Sequence, residues 1–286
     1  MWLKAFAFLW LLLVVMPVSL RAEWREEIPF KMMQGFGMVV QGGVGPVDKL
    51  NLLFDSGAVP SVISKRLAKR IGIQGSTGML SLQDKQVSVP YVTLNDVRFG
   101  AMHANSLAAA IVDLDWLEKQ LGTRIDGIIG LDIFAGKNFS IDYRHRKILP
   151  GLASRPLQQA HADIYDFQGS HYWVLSVQLA GERFRMLLDT GANDVVLFGS
   201  GLPDSFLNAR GKTGASLQLN AEGRKQLLQP QRVAIEAVQF KDRPIVVLDK
   251  SPLVANHFDG LIGPSVLGVK WLEFDWEHRC VRWERE

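Results

Sequence analysis

Two short segments place a carboxylate where it can do chemistry. The apolar run Leu52-Leu53-Phe54 leads straight into Asp55-Ser56-Gly57-Ala58, and in the second half of the chain Met186-Leu187-Leu188 leads into Asp189-Thr190-Gly191-Ala192. A carboxylate at the end of a buried strand is costly by several kcal/mol unless it is hydrogen-bonded or put to use. The glycine that follows lets the backbone turn tightly and approach a partner loop. Ser56 and Thr190 each bring a hydroxyl able to bond a facing backbone. If the two halves pack about a pseudo-twofold axis, Asp55 and Asp189 meet on it. Two carboxylates that close cannot both ionise easily, so they share a proton and titrate as a pair. Such a pair can activate a water against a carbonyl, one carboxylate taking the water's proton while the other donates to the carbonyl oxygen. Neither a nucleophilic side chain nor a metal is required.

The elements that must position these groups also come twice. Asp126-Gly127-Ile128-Ile129-Gly130 is echoed by Asp259-Gly260-Leu261-Ile262-Gly263, and Ile141-Asp142-Tyr143-Arg144-His145-Arg146 by Phe274-Asp275-Trp276-Glu277-His278-Arg279, both at one and the same offset. A fourth pair, Gly75-Ser76-Thr77-Gly78 and Gly211-Lys212-Thr213-Gly214, is shifted only slightly from it. Four landmarks in one order point to two copies of one unit. The copies span 28–150 and 171–286, with the turn-rich, weakly periodic stretch 151–170 expected to be the linker. Residues 87–94, 173–179, 231–240 and 245–248 are β-branched or alternating and predict strands. Helical periodicity is brief, chiefly in 61–71 and 114–121. Each unit therefore predicts a β structure with one or two short helices.

Asp189-Thr190-Gly191-Ala192-Asn193-Asp194-Val195-Val196-Leu197 resembles the active-site loop of the aspartic peptidases, the pepsin-like and retropepsin-like superfamily, and Asp55-Ser56-Gly57-Ala58 resembles its serine variant. That family also carries two apolar residues and a glycine that brace the loop. Ile128-Ile129-Gly130 and Leu261-Ile262-Gly263 match this signature, each following its aspartate at almost the same separation. The resemblance covers about residues 30–286 as a fused pair in one chain. It implies an all-β, bilobal acid-protease fold of two pseudo-twofold-related β-barrel lobes with short helices. It further implies an aspartic endopeptidase that cleaves extended polypeptides with Asp55 and Asp189 as the dyad, without cofactor or metal. Gly75 and Gly211 fall where a retropepsin carries its flap, and no flap tyrosine is assigned there. Both loops have Ala58 and Ala192 where pepsin-like enzymes carry a hydroxyl. Losing that donor should raise the pair's apparent pKa values and put the optimum at mildly acidic pH. The alternative is a catalytically silent peptide-binding or scaffold protein of the same fold, for which two facing carboxylates would be unnecessary.

Other repeated or reactive residues read as structural. Asp126 and Asp259 are loop or capping carboxylates, and Asp142 and Asp275 precede turns. His145 and His278 lack a second ligand at metal spacing. Trp271, Trp276 and Trp283 are packing residues. With Cys280 as its one cysteine, the chain makes no internal disulfide and no paired-cysteine zinc site.

The remaining features bound location and partners. The 286 residues are 48% hydrophobic and 21% charged, enough for a full core and against disorder. Lys4 precedes an unbroken apolar run from Ala5 to Val18, the pattern of a signal-peptide core and short for a bilayer span. Residues 1–22 are read as that signal, with the protein periplasmic or secreted. Leu20 is larger than the residue usual two positions before a cut, so cleavage after Ala22 and retention as an N-terminal anchor both stay open. Of the 32 basic side chains only Lys4 and Arg21 fall in that segment, so the rest nearly balance the 29 acidic ones, which argues against nucleic acid as a partner. The expected partner is a polypeptide substrate, met by a monomer, with membrane contact only through an uncleaved N-terminus.

Overall fold

The computed structural model describes residues 26–81, 86–134, 136–167, 170–199, 202, 225–240, 243–248 and 257–285. The apolar run from Ala5 to Val18 and the Gly211 to Gly214 segment lie outside these residues. Among the described residues no helix is long and apolar enough to cross a membrane.

The fold is all-β and bilobal, with strands in two sheets and two short α-helices among the described residues. In the first lobe the strand Val47–Phe54 lies between Gly37–Val44, antiparallel with Met38 opposite Phe54, and Gly127–Ile129, parallel with Leu53 opposite Ile128. Leu52, Leu53 and Phe54 are all buried. A strand covered on both faces reads as a continuous apolar run rather than an alternation, which is the pattern ahead of Asp55. After the Asp55 loop the chain re-enters the sheet as Ser61–Ser64, antiparallel to Gly127–Ile129 and parallel to Met102–Val112.

The second lobe repeats these pairings. Glu182–Leu188 lies between Ser170–Leu179 and the parallel strand Gly260–Ile262, with Leu187 opposite Leu261. Val195–Phe198 then runs antiparallel to Gly260–Ile262 and parallel to Arg243–Leu248. In each lobe the three-residue strand ahead of Gly130 or Gly263 is held between the strand entering the aspartate loop and the strand leaving it.

The lobes are joined by hydrogen-bonded strands in the order Ile28–Pro29, Lys147–Pro150, Phe139–Asp142, Val269–Asp275, Cys280–Arg285 and Gln158–Phe167. At its centre Ser140 pairs with Glu273, its own counterpart in the repeat, so the two lobes meet here symmetrically. An aromatic column crosses the junction. Phe134 stacks on Phe139 at 3.9 Å, Phe139 on Phe274 at 4.6 Å, and Trp173 meets Phe274 edge-on at 5.2 Å. The main core runs through both lobes along this column.

Within the stretch 151–170, expected to be the linker, Gln158–Phe167 is a strand. Its inward residues begin with Ala160 and Ala162, too small to give a visible alternation. Residues 61–71 are not one helix. Ser61–Ser64 is a fully buried strand, and only Lys65–Ile71, α1, is helical. Ser64 supplies the break, its Oγ capping α1 by accepting the Leu67 N–H at 3.1 Å. Residues 231–240 divide into Val233–Ile235 and Val238–Gln239 about a turn at Glu236. The second helix, α2, is Asp115–Leu121, ended by Gly122 in the left-handed conformation.

Candidate active site

Each aspartate loop is built by the strand that carries it and braced by its neighbour. The Asp55 N–H donates to the Ile129 carbonyl at 3.0 Å, and the Asp189 N–H to the Ile262 carbonyl at 3.1 Å. The chain then turns at once, Ala58 N–H bonding Asp55 O and Ala192 N–H bonding Asp189 O, both at 3.1 Å. The turn aims the Gly57 N–H at Asp55 Oδ1 and the Gly191 N–H at Asp189 Oδ1, each at 2.8 Å.

The two loops are locked to one another through their hydroxyls. Ser56 N–H donates to Thr190 Oγ1 at 2.9 Å, and Thr190 N–H donates to Ser56 Oγ at 2.9 Å. Ser56 Oγ also donates to the Leu188 carbonyl at 2.8 Å. Both side chains are buried, so these bonds are made without competition from water. The sequence expectation that the hydroxyls would bond a facing backbone describes this arrangement.

Locked this way, each glycine lies on the other loop's carboxylate. A Cβ on Gly57 would stand 2.8 Å from Asp189 Cγ, and one on Gly191 2.6 Å from Asp55 Oδ2. No other residue type leaves room for that approach. Asp55 and Asp189 share a hydrogen bond. Burial, the largest cause, raises the Asp55 pKa. The hydrogen bonds from Asp189 and from the Gly57, Gly191 and Ala58 backbone oppose that rise. Asp189 is held well above the ordinary carboxylate range, first by burial, then by the charge of Asp55 and the hydrogen bond shared with it. Asp189 is buried and Asp55 half-buried.

The signature residues Ile128, Ile129, Leu261 and Ile262 are buried behind the loops. Gly130 and Gly263 each sit under the loop, where a Cβ would stand 2.2 Å from Ala58 O and from Ala192 O respectively. In the first lobe this bracing gains a carboxylate that sequence reasoning missed. Ser61 Oγ accepts the Gly130 N–H at 3.0 Å and donates to Asp132 Oδ1 at 2.7 Å. Burial pushes the Asp132 pKa up. The second lobe has Ser265 at the matching position of the repeat, donating to Ala192 O at 3.4 Å. Because it occurs in one copy only, Asp132 carried no repeat signal.

The residues read as structural are found away from the dyad. Asp126 accepts the Asn51 N–H at 3.0 Å and Arg124 Nε at 2.9 Å. Asp259 accepts the Arg185 N–H and its guanidinium, each at 2.8 Å. Both carboxylates thus clamp the start of the parallel pairing. Asp142 and Asp275 accept the N–H and the ring Nδ1 of His145 and His278 respectively, closing two matching turns. Trp283 is in the core, Trp276 packs on Trp173 at 5.0 Å, and Trp271 donates to Glu273 at 2.7 Å. Burial and Asp275 push the Cys280 thiol up. Among the described residues no group of three His, Cys, Asp or Glu side chains is placed to hold a metal ion.

Two tyrosines near the dyad also escaped the sequence. Ser76–Ser81 and Gln86–Phe99 form a hairpin, and Tyr91 on its second strand lies over Gly78, where a Cβ would stand 2.7 Å from the ring. Tyr91 Oη donates to the Met79 carbonyl at 2.8 Å, bracing the hairpin. From the other lobe Tyr172 is buried against Phe258, with Val59 of the Asp55 loop in the same cluster. Its hydroxyl is pushed far up by burial, and then by the charges of Asp55, Tyr91 and Asp189. With four tyrosines in the chain, proximity to a glycine in a strand pattern was the signal available for Tyr91.

Comparison with curated proteins finds no match. Residues 39–133, which carry the Asp55 loop, Ile128-Ile129-Gly130 and the hairpin, match the family described as Aspartyl protease, and that match supports the aspartic peptidase superfamily for this chain.

Proposed function

We propose that the protein is an exported aspartic endopeptidase made of two fused retropepsin-like units, with Asp55 and Asp189 as its dyad. The family match supports peptidase activity in general. The observation that carries the finer reading is the reciprocal pair of bonds between Ser56 and Thr190, which sets two buried carboxylates facing each other.

One carboxylate of the pair holds the shared proton and the other carries the charge, burial opposing ionisation of both. Water attacks the carbonyl carbon of a peptide bond and gives a proton to the charged carboxylate. The neutral carboxyl gives its proton to the carbonyl oxygen, leaving a gem-diol. Collapse of the diol breaks the C–N bond, with one proton passing to the departing nitrogen and the dyad restored to a single shared proton. The substrate is an extended polypeptide held between the lobes, and the hairpin of Ser76–Ser81 and Gln86–Phe99 closes over it.

Cleavage of a peptide library by the purified body tests this, with Asp55→Asn and Asp189→Asn alongside. Each substitution is expected to abolish turnover and leave the far-ultraviolet circular dichroism unchanged, and a chelator should have no effect. Substantial residual activity in either variant would remove the dyad assignment. The apolar run from Ala5 to Val18 supports export to the periplasm or beyond. Full-length chain found soluble in the cytoplasm of the native producer would overturn that part. A mature N-terminus at Glu23 would decide cleavage over anchoring.

A further inference from the structure

Helix α1 carries four cations, and three of them, Lys65, Lys69 and Arg70, are exposed without an ion-pair partner among the described residues. Arg66 turns inward to Glu118 and Asp126. Lys65 and Lys69 lie one helical turn apart on one face. Like charges at this spacing repel, so the fold gains nothing by keeping them together. They border an open groove of about 440 Å³, whose apolar walls include Ala68, Ile73, Ile111 and Pro90. That volume is in the range of ligand sites, roughly 300–1,000 Å³.

The groove reaches the hairpin at Gly75 and Pro90. Successive strand residues point to opposite sides, and the register puts Thr77 opposite Pro90 and Met79 opposite Ser88 on one face. Gly78, Leu80, Val87, Val89 and Tyr91 take the other, inward face. Met79 is 52% exposed and is the one large hydrophobic so exposed among the described residues. It lies two positions along from Thr77, or about 7 Å at strand spacing. Lys65 and Lys69 thus border an apolar trough that reaches Pro90, and Thr77 and the exposed Met79 share Pro90's face of the hairpin. Tyr91, the chain neighbour of Pro90, faces the opposite side and is near enough to Tyr172 to act on its ionisation.

We propose that this groove docks an acidic segment of a polypeptide in extended form, with glutamate or aspartate side chains on Lys65 and Lys69 and an apolar side chain on Met79. The segment belongs to the substrate, outside the residues held at the dyad, and the groove selects for polypeptides that carry it. This deepens the peptidase reading and rests on it for the word substrate, while the docking itself needs no turnover. Charge complementarity identifies the occupant: the rest of the chain is close to neutral, so the two lysines are a local preference and not part of a general basic surface.

The test uses the full chain carrying Asp189→Asn, so that the probe stays intact, titrated into a fluorescein-labelled dodecapeptide with two glutamates two positions apart followed by leucine. A glutamine counterpart serves as control. Anisotropy should show the glutamate probe binding more tightly than the control, and Lys65→Glu with Lys69→Glu should weaken it about tenfold, as expected for reversing two rim charges. Met79→Ser should weaken both probes. In the active protein, Lys65→Gln with Lys69→Gln should raise KM for a substrate bearing the acidic extension and leave KM for the same substrate without it unchanged. Equal affinity for the two probes, or no loss in the lysine variant, overturns the proposal. So does binding of phosphatidylglycerol vesicles in preference to the peptide. If Asp55→Asn retained turnover, the peptidase reading would fail while the anisotropy titration still decided the docking.

Discussion

Ser56 and Thr190 separate geometry from charge at the scale of single residues. Each is fully involved in the lock between loops, and neither ionises. Ser56→Ala removes the donor to Leu188 O and the acceptor of the Thr190 N–H, both buried. Leaving such groups unpaired costs about 1–3 kcal/mol each, so the variant should unfold at distinctly lower denaturant and lose kcat through misalignment. Ser56→Thr keeps both bonds and should restore most of both readouts. Unchanged stability in Ser56→Ala would show that the lock contributes little. The pH profile of kcat/KM belongs at this scale too. Burial is the largest cause of the raised values of both Asp55 and Asp189, ahead of every hydrogen bond. The profile should be bell-shaped with a mildly acidic optimum, as the alanines suggested, but for a different main reason. Ala192→Ser should consequently leave the acid limb nearly in place, whereas a downward move of about one pH unit would credit the missing hydroxyl donor. The dyad was legible because its environment is written twice. Tyr91, Tyr172 and Asp132 were not, because none of them has a counterpart in the other copy of the repeat.

Among the elements, the short strands Gly127–Ile129 and Gly260–Ile262 do the most for their length. Each is pinned between the strand into and the strand out of an aspartate loop, and each ends in a glycine pressed against the loop's own backbone. Gly130→Ala would put a methyl 2.2 Å from Ala58 O, a backbone atom that cannot swing aside. Overpacking of this kind costs roughly 1–3 kcal/mol, and here the strain falls on the loop that carries Asp55. The variant should fold with a lowered Tm and a much reduced kcat. Wild-type kcat would mean that the loop tolerates displacement. The apolar pair and its glycine were visible in the sequence because close approach leaves only one residue type. Ser61–Ser64 was misread for the converse reason. Its residues are all buried between two strands, so no alternation survives, and its closeness to α1 lends it a helical spacing. Gln158–Phe167 hid behind alanines whose burial adds little hydrophobic signal.

For the molecule as a whole, the strands joining the lobes carry a buried charge that the repeat does not. Glu273 is completely buried opposite Ser140, paired with Arg282 at 2.9 Å. It also accepts the Ala153 N–H and Trp271 Nε1, each at 2.7 Å, tying the connection between lobes to the sheet. Glu273→Ala takes the carboxylate from Arg282 and leaves two N–H donors unpaired, and breaking a buried pair from one side costs about 3–5 kcal/mol. Glu273→Gln keeps an acceptor for both N–H groups and should lose far less. Equal losses in equilibrium unfolding would show that the charge, and not the hydrogen bonding, holds the junction.

The dyad sets a second property of the whole molecule, its stability against pH. Folding brings Asp55 and Asp189 into a buried site that raises both above the ordinary value of 3.8, Asp189 the more strongly. Between that value and the raised ones the native state holds protons that the unfolded chain has released. Stability contributed by these two groups is therefore present at low pH and declines as pH climbs through that interval, since stability rises with pH only where the unfolded state binds more protons. At neutral pH the site is a net burden on the fold, carried for what it can do. Asp189→Asn removes the group whose ionisation is most opposed, while its amide oxygen can still accept the Gly191 N–H. The variant should then melt at a higher temperature than the unaltered protein at pH 7, by a few degrees for each kcal/mol recovered in a chain of this size. The two melting curves should converge as pH is lowered toward the ordinary carboxylate value of 3.8 and the native dyad takes up protons. Calorimetry across that range checks the claim, and an Asp189→Asn protein less stable at pH 7 than at pH 4 relative to its parent would reverse the sign and overturn it.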